Sequence, residues 1–400
     1  MKRMRILTVL TALAMILLYG LVSFFGVKDE DKNRSVKVGF VYDGDESAPY
    51  SYNFIKVQRK LDATDFGGRV TTAAKENVAE ENGEQAIREL IAEGCDMIIT
   101  TSYGYGEVAK QLAAEYPEIE FCGATCDNAI RDPLPNYHTF MGEIYQGRYV
   151  TGIVAGMKLR ELIDEGVITE DQARIGYVGA YPYAEVISGY TAFILGVRSI
   201  VPTATMDVRY TNTWTSYTLE KKCAEQLIED GCVIISQHSD TIGPAVACEE
   251  AADQGKCVFH VGYNQSMIDV APTTSLVSSR IDWSIYIFAA VNAALNEEPI
   301  EKRIDGNIHG NDVGAGFEQG WVQIVDVNNL IAAKGTQEAV DKAIEDLRKR
   351  HVSVFKGNYV GVNPDDPNDV IDLKNGYEEN KNASAPSFYY ILQDVVFVRE

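Results

Sequence analysis

The chain has 400 residues, 46% of them apolar and 24% charged, more than one compact domain usually holds. Its formal net charge of −22 argues against a phosphate-backbone partner, which needs clustered Lys and Arg, so no nucleic-acid binding is expected. The seven cysteines form an odd set that excludes a closed disulfide framework, and none of them has zinc-ligand spacing with another Cys or with the five histidines.

In chain order, the basic "MKRMR" precedes residues 6–27, which carry no charged side chain. As a helix that run reaches about 33 Å, enough to cross a hydrocarbon core of about 30 Å. It is longer than the apolar part of a typical cleaved signal peptide. Residues 1–27 therefore read as an uncleaved signal anchor, with a cleaved export signal as the alternative. The basic flank stays inside, which places the body outside the cytoplasm and tethers it to the membrane. A polar linker, residues 28–35, leads into the folded part.

Four apolar β-rich runs come next, at 36–42, 69–75, 96–102 and 119–124, alternating with helical stretches at 53–64, 82–93 and 105–115. In "GEQAIRELIAEG" the side chains of Ala86, Ile87, Leu90 and Ile91 share one helix face. A long helical stretch, 141–163, bridges to a second series of strands at 173–180, 205–211, 232–237 and 256–262, with helices at 184–199, 217–230 and 243–254. Strands joined by crossover helices run parallel, and near-continuous apolar strands are covered on both faces. The expected fold is α/β, with two doubly wound parallel-sheet lobes and a ligand cleft between them. The last third contains helices at 280–298 and 336–352 and strands at 320–327 and in the final "YYILQDVVFV". It is expected to complete both lobes: 36–142 with about 271–310 in lobe 1, and 143–270 with about 311–400 in lobe 2.

Open parallel sheets bind ligands beyond the carboxyl ends of their strands. At those positions the chain places Tyr50, Tyr52, Tyr103, Tyr105, Tyr181, Tyr183, Trp214, Tyr217 and Tyr263, interleaved with Asn, Asp and Gln. Such a set suits a flat ligand held between rings, with polar side chains reading its edge. Two stretches imitate other chemistry. "YGYGEVA" spaces Gly104, Gly106 and Ala109 as in a dinucleotide turn, but it follows the third strand of its half, so a contact from Tyr103 or Tyr105 is the better reading. "ISQHSDTIGP" strings Ser, His, Ser and Asp together, yet a catalytic triad is a matter of geometry and adjacency is no evidence for one. His238 is read as a hydrogen-bonding residue rather than a base.

The stretches "VGFVYDG", "IRELIAEGCDMIITTSYG", "RIGYVGAYPYAEVISGYTAFILGVRSIVPTATMDVRYTNTWTSY", "LIEDGCVIISQHSD" and "APTTSLVSSRIDW" resemble the BMP family (basic membrane protein, PnrA-like) of ABC-importer substrate-binding proteins. The resemblance spans about residues 36–330. It implies a type I periplasmic-binding-protein fold with three chain crossings, no enzymatic activity, no cofactor and no metal. It further implies a purine base or nucleoside as ligand and ABC permease subunits as partners. By position it assigns ligand contacts to Tyr52 and Asn53, to Tyr103 and Tyr105, and to Trp214, Asp240 and Trp283, the last three in a subgroup associated with adenine-like ligands. Tyr183, His238, Asn264 and Arg280 complete the candidate set. Asn264 stands where nucleoside-binding relatives carry an Asp for the ribose, and Arg280 where they carry a Lys, which favours a free base. Exported members are usually lipoproteins, but the first cysteine here is Cys95, so the hydrophobic segment is expected to do the tethering. A membrane-anchored ligand sensor and, third, a nucleoside hydrolase are the competing readings.

Overall fold

The structure, a computed structural model, describes residues 34–399. The anchor at 6–27 and most of the linker lie outside the described residues. Among the described residues no helix is long and apolar enough to cross a membrane.

Two sheets organise the molecule. The first is built from β1 (Val36–Val41), β2 (Val70–Lys75), β3 (Met97–Thr100), β4 (Glu120–Ala124) and β5 (Tyr137–Gly142), with α1 (Pro49–Ala63), α2 (Gly83–Ala92) and α3 (Gly106–Glu115) among the connections. These strands run parallel in the spatial order β2-β1-β3-β4-β5. After α4 (Ile144–Asp164) the pattern repeats with β6 (Arg174–Gly179), β7 (Thr205–Tyr210), β8 (Ile234–His238), β9 (Phe259–Tyr263) and β10 (Ser275–Ile281), in the order β7-β6-β8-β9-β10. The intervening helices are α5 (Ala184–Arg198), α6 (Tyr217–Glu229) and α7 (Gly243–Asp253). Val36, Val38 and Phe40 on β1 are fully buried, each burial worth roughly 1.5–3 kcal/mol.

Each half thus holds a fifth parallel strand that the hydropathy pattern hides. β5, "YHTFMG", is buried at every position and shows no alternation, so its end reads as the start of the following helix. β10, "SLVSSRI", buries three serines in the sheet and merges with the next helical run in the same way.

The remaining elements are shared between lobes. α8 (Ser284–Leu295) packs on lobe 1, where Phe288 lies 6.0 Å from Phe66 between ring centres. β11 (Asn307–His309) and β12 (Asp312–Ala315) extend the first sheet, with β12 parallel to β5. β13 (Val322–Val325) pairs antiparallel with β10 in the second sheet and is followed by α9 (Thr336–Arg348). A small sheet of β14 (Val360–Val362), β15 (Val370–Asp372) and β16 (Ile391–Leu392) comes next, and β17 (Val396–Val398) closes the edge beside β7. This shifts two of the expected lobe boundaries. Residues 275–281, assigned from the sequence to lobe 1, pair with β9 in lobe 2, and residues 312–315, assigned to lobe 2, pair with β5 in lobe 1. The chain crosses between lobes after Gly142, after Ile281 and after Ala315. The first two crossings touch, since a side chain on Gly142 would meet Ile281 at 2.7 Å.

Helices α4 and α5 cross so closely that Gly152 and Gly196 face one another. A Cβ on Gly152 would overlap the carbonyl of Phe193, and one on Gly196 that of Tyr149. All seven cysteines are free thiols.

Candidate ligand-binding cleft

In both halves the strand order reverses between the first and third strands, β1 and β3 in lobe 1 and β6 and β8 in lobe 2. Helices leave opposite faces of the sheet there, opening a crevice at the strand carboxyl ends. The two crevices face each other. Lobe 1 contributes Asp43 after β1, Tyr50 on α1, Thr101, Ser102 and Tyr103 after β3, and Thr125 after β4. Lobe 2 contributes Glu185 on α5, Trp214 after β7, His238 and Asp240 at the end of β8, and Tyr263 at the end of β9. These residues enclose a narrow slot with about 20 Å³ of free space, room for about one water. A ring-sized ligand therefore enters only when the lobes part.

Direct contacts hold the rims together. Asn53 Nδ2 donates to the carbonyl of Asn264 at 3.1 Å, and Lys56 Nζ donates to Gln265 Oε1 at 2.9 Å. On the other rim Tyr103 of lobe 1 approaches Tyr183 of lobe 2, 6.0 Å between ring centres. Tyr183 stacks on Tyr181 at 5.0 Å, and Trp214 meets Tyr181 edge-on at 5.4 Å. Two residues around the cleft adopt left-handed backbone, Thr125 (φ 62°) and Asn264 (φ 68°), and a β-branched residue pays about 1–3 kcal/mol for that conformation.

The electrostatics are one-sided. Asp43, Glu185 and Asp240 are three carboxylates around one slot. Burial, reinforced by Asp43, Glu220 and Glu185 and opposed by Arg148, lifts Asp240 well above the usual carboxylate range. Burial raises Asp43 as well, against the hydrogen bond from Ser51. Arg148 is fully buried on α4, its guanidinium 3.7 Å from the centre of the Tyr263 ring, and its Nη1 donates to the Gln237 carbonyl at 2.8 Å.

The Ser-His-Ser-Asp run is dispersed by its own geometry. His238 Nε2 meets Glu185 Oε1 at 3.2 Å, while Ser239 Oγ donates to Glu220 at 2.8 Å and Ser236 Oγ to the Val261 carbonyl at 3.1 Å. Among the described residues no serine is paired with His238, so this arrangement has no nucleophile–base pair. Among the described residues, no three His, Cys, Asp or Glu side chains come together in a group that could hold a metal ion.

Of the residues singled out from the sequence, Tyr50, Tyr103, Trp214, His238, Asp240 and Tyr263 line the slot. Tyr183 sits at its mouth, and Asn53 and Asn264 close its rim. Four others lie elsewhere. Tyr52 points off the cleft face of α1, packing against Lys56 and Arg59, because Tyr50 and Asn53, three residues apart, occupy that face. Tyr105 is buried in the lobe 1 core, its hydroxyl donating to the Val78 carbonyl at 2.5 Å. Arg280 faces its cross-strand partner Gln323, to whose Oε1 it donates at 2.8 and 3.0 Å. Trp283 anchors the second crossing, stacked on Phe54 at 4.8 Å and edge-on to Phe140 at 5.6 Å. The dinucleotide-like glycines are accounted for locally, since Glu80 accepts from the Gly104 amide at 2.9 Å and leaves no room for a Cβ there.

Asp43, Thr101, Ser102, Thr125 and Glu185 escaped the sequence reading as individual contacts, although Asp43, Thr125 and Glu185 fall in the stretches that follow strands and Thr101 and Ser102 in the run at 96–102. Arg148 escaped it too. Its signal was a lone Arg immediately before the apolar "YVTGIVAGM" run of α4.

A family model described as Bmp, ABC transporter substrate-binding protein PnrA-like, matches residues 35–354. A purine-binding protein of Brucella abortus (strain 2308) is 29% identical over 299 residues, covering 74% of this chain and 77% of that protein. A Haloferax volcanii protein provisionally named an ABC transporter glucose-binding protein is 34% identical over 213 residues, 53% of this chain and 49% of its own length. Among solved structures, an ABC transporter solute-binding protein from Conexibacter woesei aligns over 80% of this chain and 98% of its own, with a TM-score of 0.60 at 16% identity. One from Aeropyrum pernix K1 aligns over 80% and 87%, with a TM-score of 0.61 at 18% identity. At such identities the structures speak for the fold alone.

Proposed function

Because the chain belongs to the PnrA-like family of ABC transporter substrate-binding proteins, we propose that it is the extracytoplasmic receptor of an ABC importer for a purine base or nucleoside, with adenine-like ligands favoured. The observation that carries this reading is the slot between the two facing crevices, where Trp214 and Tyr103 offer ring faces and Asp240 offers a polar edge. The purine named for the Brucella abortus relative supports the same ligand class. In this reading the lobes part about the three crossings, a ring enters, and its contacts to both lobes favour closure, since a ligand shifts a conformational equilibrium by its differential affinity. The closed complex is what the permease receives, and residues 6–27 hold the receptor at the membrane. Asn264 offers a ribose only neutral hydrogen bonds, which favours a free base over a nucleoside. The protein's task is binding, with no bond made or broken.

Titration with adenine, adenosine, guanosine and inosine, followed by tryptophan fluorescence and melting temperature, tests the proposal. D-glucose is the control suggested by the name of the Haloferax volcanii relative. Saturable stabilisation by a purine is the expected result. A folded protein that answers to glucose and to no purine would overturn it.

A further inference from the structure

The hydroxyl groups lining the slot have largely committed their protons to the protein. Tyr50 donates to the Thr101 carbonyl at 2.5 Å, Thr101 to the Val41 carbonyl at 3.0 Å, Ser102 to Glu80 at 2.5 Å, and Thr125 to the Ala124 carbonyl at 2.6 Å. What these four present to a ligand is therefore lone pairs. Asp43, Glu185 and Asp240 add carboxylate oxygens, and among the described residues Arg148 forms no ion pair with any of them. The donors left over in the lining are the hydroxyls of Tyr103 and Tyr263, the indole of Trp214 and the proton that burial favours on Asp240. The wall is thus dominated by acceptors, and a ligand edge that fits it must donate.

Glu185 is the carboxylate with a dedicated support. It stands in the first turn of α5, where the helix dipole favours a negative charge. His238 is buried, and burial together with Arg148 pulls its pKa down against the pull of Glu185, so the ring is held neutral. A neutral imidazole carries one N–H, and the nitrogen facing a carboxylate oxygen at 3.2 Å is the one that bears it. The other nitrogen, Nδ1, is packed against Gly189, where a Cβ would stand only 2.9 Å away. The imidazole thus fixes Oε1, and Oε2 has no protein donor among the described residues.

We propose that Glu185, positioned by His238, is the specificity-determining residue of the cleft, selecting ligands that present an amino group and disfavouring those with a carbonyl at the same place: an aminopurine over its oxopurine counterpart. This rests on the purine reading above. An amino group donates to Oε2, whereas a carbonyl there sets two acceptors against each other and leaves both unpaired, which sites built on hydrogen bonding reject strongly. His238 acts through Glu185 and is a positioning residue.

Calorimetric dissociation constants for adenine and hypoxanthine on the full-length protein test this. Adenine is expected to bind at least tenfold tighter. In Glu185→Gln the side chain keeps its shape but offers an NH₂ that can meet a carbonyl, so the adenine-to-hypoxanthine ratio is expected to shrink at least tenfold. His238→Phe, which keeps a ring over Tyr263 but loses the N–H, should lower the ratio in the same direction, a change that a purely structural role would not produce. Equal affinity for the two bases in the unmodified protein, or an unchanged ratio in a folded Glu185→Gln variant, overturns the inference and leaves the purine reading standing. Binding of neither base, and of neither adenosine nor inosine, removes the purine reading and this inference together.

Discussion

Asn53 of lobe 1 donates to the backbone carbonyl of Asn264 in lobe 2 at 3.1 Å, and Gln265 returns a bond from its Nε2 to Asn53 Oδ1 at 2.6 Å. The lobes are therefore latched by protein groups at the cleft rim, alongside whatever a ligand adds. Each such bond contributes about 0.5–1.5 kcal/mol. Asn53→Ala loses both and is expected to raise the dissociation constant roughly 5- to 150-fold, chiefly through faster release, because the closed state loses support while the slot keeps its lining. Stopped-flow dissociation rates check this. An unchanged off-rate would show that the latch does not bias closure.

Trp214 half-faces the slot and leans on Tyr181 and Tyr183, which orient its ring before a ligand arrives. Replacing it with Ala removes one stacking face, worth about 1–3 kcal/mol, so affinity for a purine should fall roughly 5- to 150-fold. The fold should be unaffected, since Trp214 is only partly buried against the core. Calorimetry with circular dichroism on the same sample separates the two effects.

Asp240 is a site where affinity and stability pull apart. Its carboxyl is pushed well above the ordinary range by burial and by the nearby Asp43, Glu220 and Glu185, so at neutral pH holding that group inside the fold costs stability. For a carboxyl raised on folding, the stabilising contribution is full below its unfolded value and is lost as pH rises through the folded one. Asp240→Ala is expected to weaken ligand binding by roughly 2 kcal/mol or more, about 30-fold, while leaving the melting temperature at pH 7 the same or higher. A variant that binds normally would remove Asp240 from the ligand's contacts.

The repeated half was legible because crossover helices leave a strong periodic signal and the parallel strands are short apolar runs. β5 and β10 were not, because a strand buried on both faces and carrying His, Thr or Ser has neither alternation nor a continuous apolar run. The cleft was legible to the level of strand ends, which topology alone locates. What the sequence could not supply was side-chain direction on α1, where Tyr50 and Asn53 take the cleft face and Tyr52 does not. Nor could it show that Trp283 turns into the crossing. Glu185 was hidden for a related reason: it sits on α5 and its partner His238 on β8, so the pair has no local spacing to read.

His138 supplies a pH dependence remote from the cleft. Burial opposes its charge, but hydrogen bonds to Glu120 at 3.1 Å and Glu301 at 2.6 Å outweigh that and lift its pKa from 6.5 to about 9. The sign follows from the raised folded value: stability from the charged ring is complete below about 6.5 and is lost as pH rises through about 9. Melting temperature should therefore decline across that window, by an amount on the order of 1–3 kcal/mol in stability. His138→Gln should flatten the decline and lower the plateau below it. At any one pH in that window, ligand affinity should be the same in His138→Gln and in the unmodified protein.

The C-terminal segment makes a tie that the three crossings do not. Ser384 donates its amide and its hydroxyl to Asp312 on β12, at 2.5 and 2.6 Å, and Thr139 adds a third bond at 2.7 Å. Nearby in the same segment, Glu379 accepts from Ser188 on α5 at 2.7 Å. Residues 379–384 are thereby pinned to both lobes. Asp312 stands three residues before the crossing at Ala315, about 10 Å along the strand, and Ser188 lies on the other lobe, so a lobe rotation of tens of degrees strains the segment's bond to one or the other. Ser384→Ala removes one bond to a buried carboxylate and is expected to cost about 1.5–3 kcal/mol in denaturant unfolding, with a weaker purine affinity because closure has lost a support. If stability falls and affinity holds, the segment braces the fold without favouring closure; if both fall together, it does both.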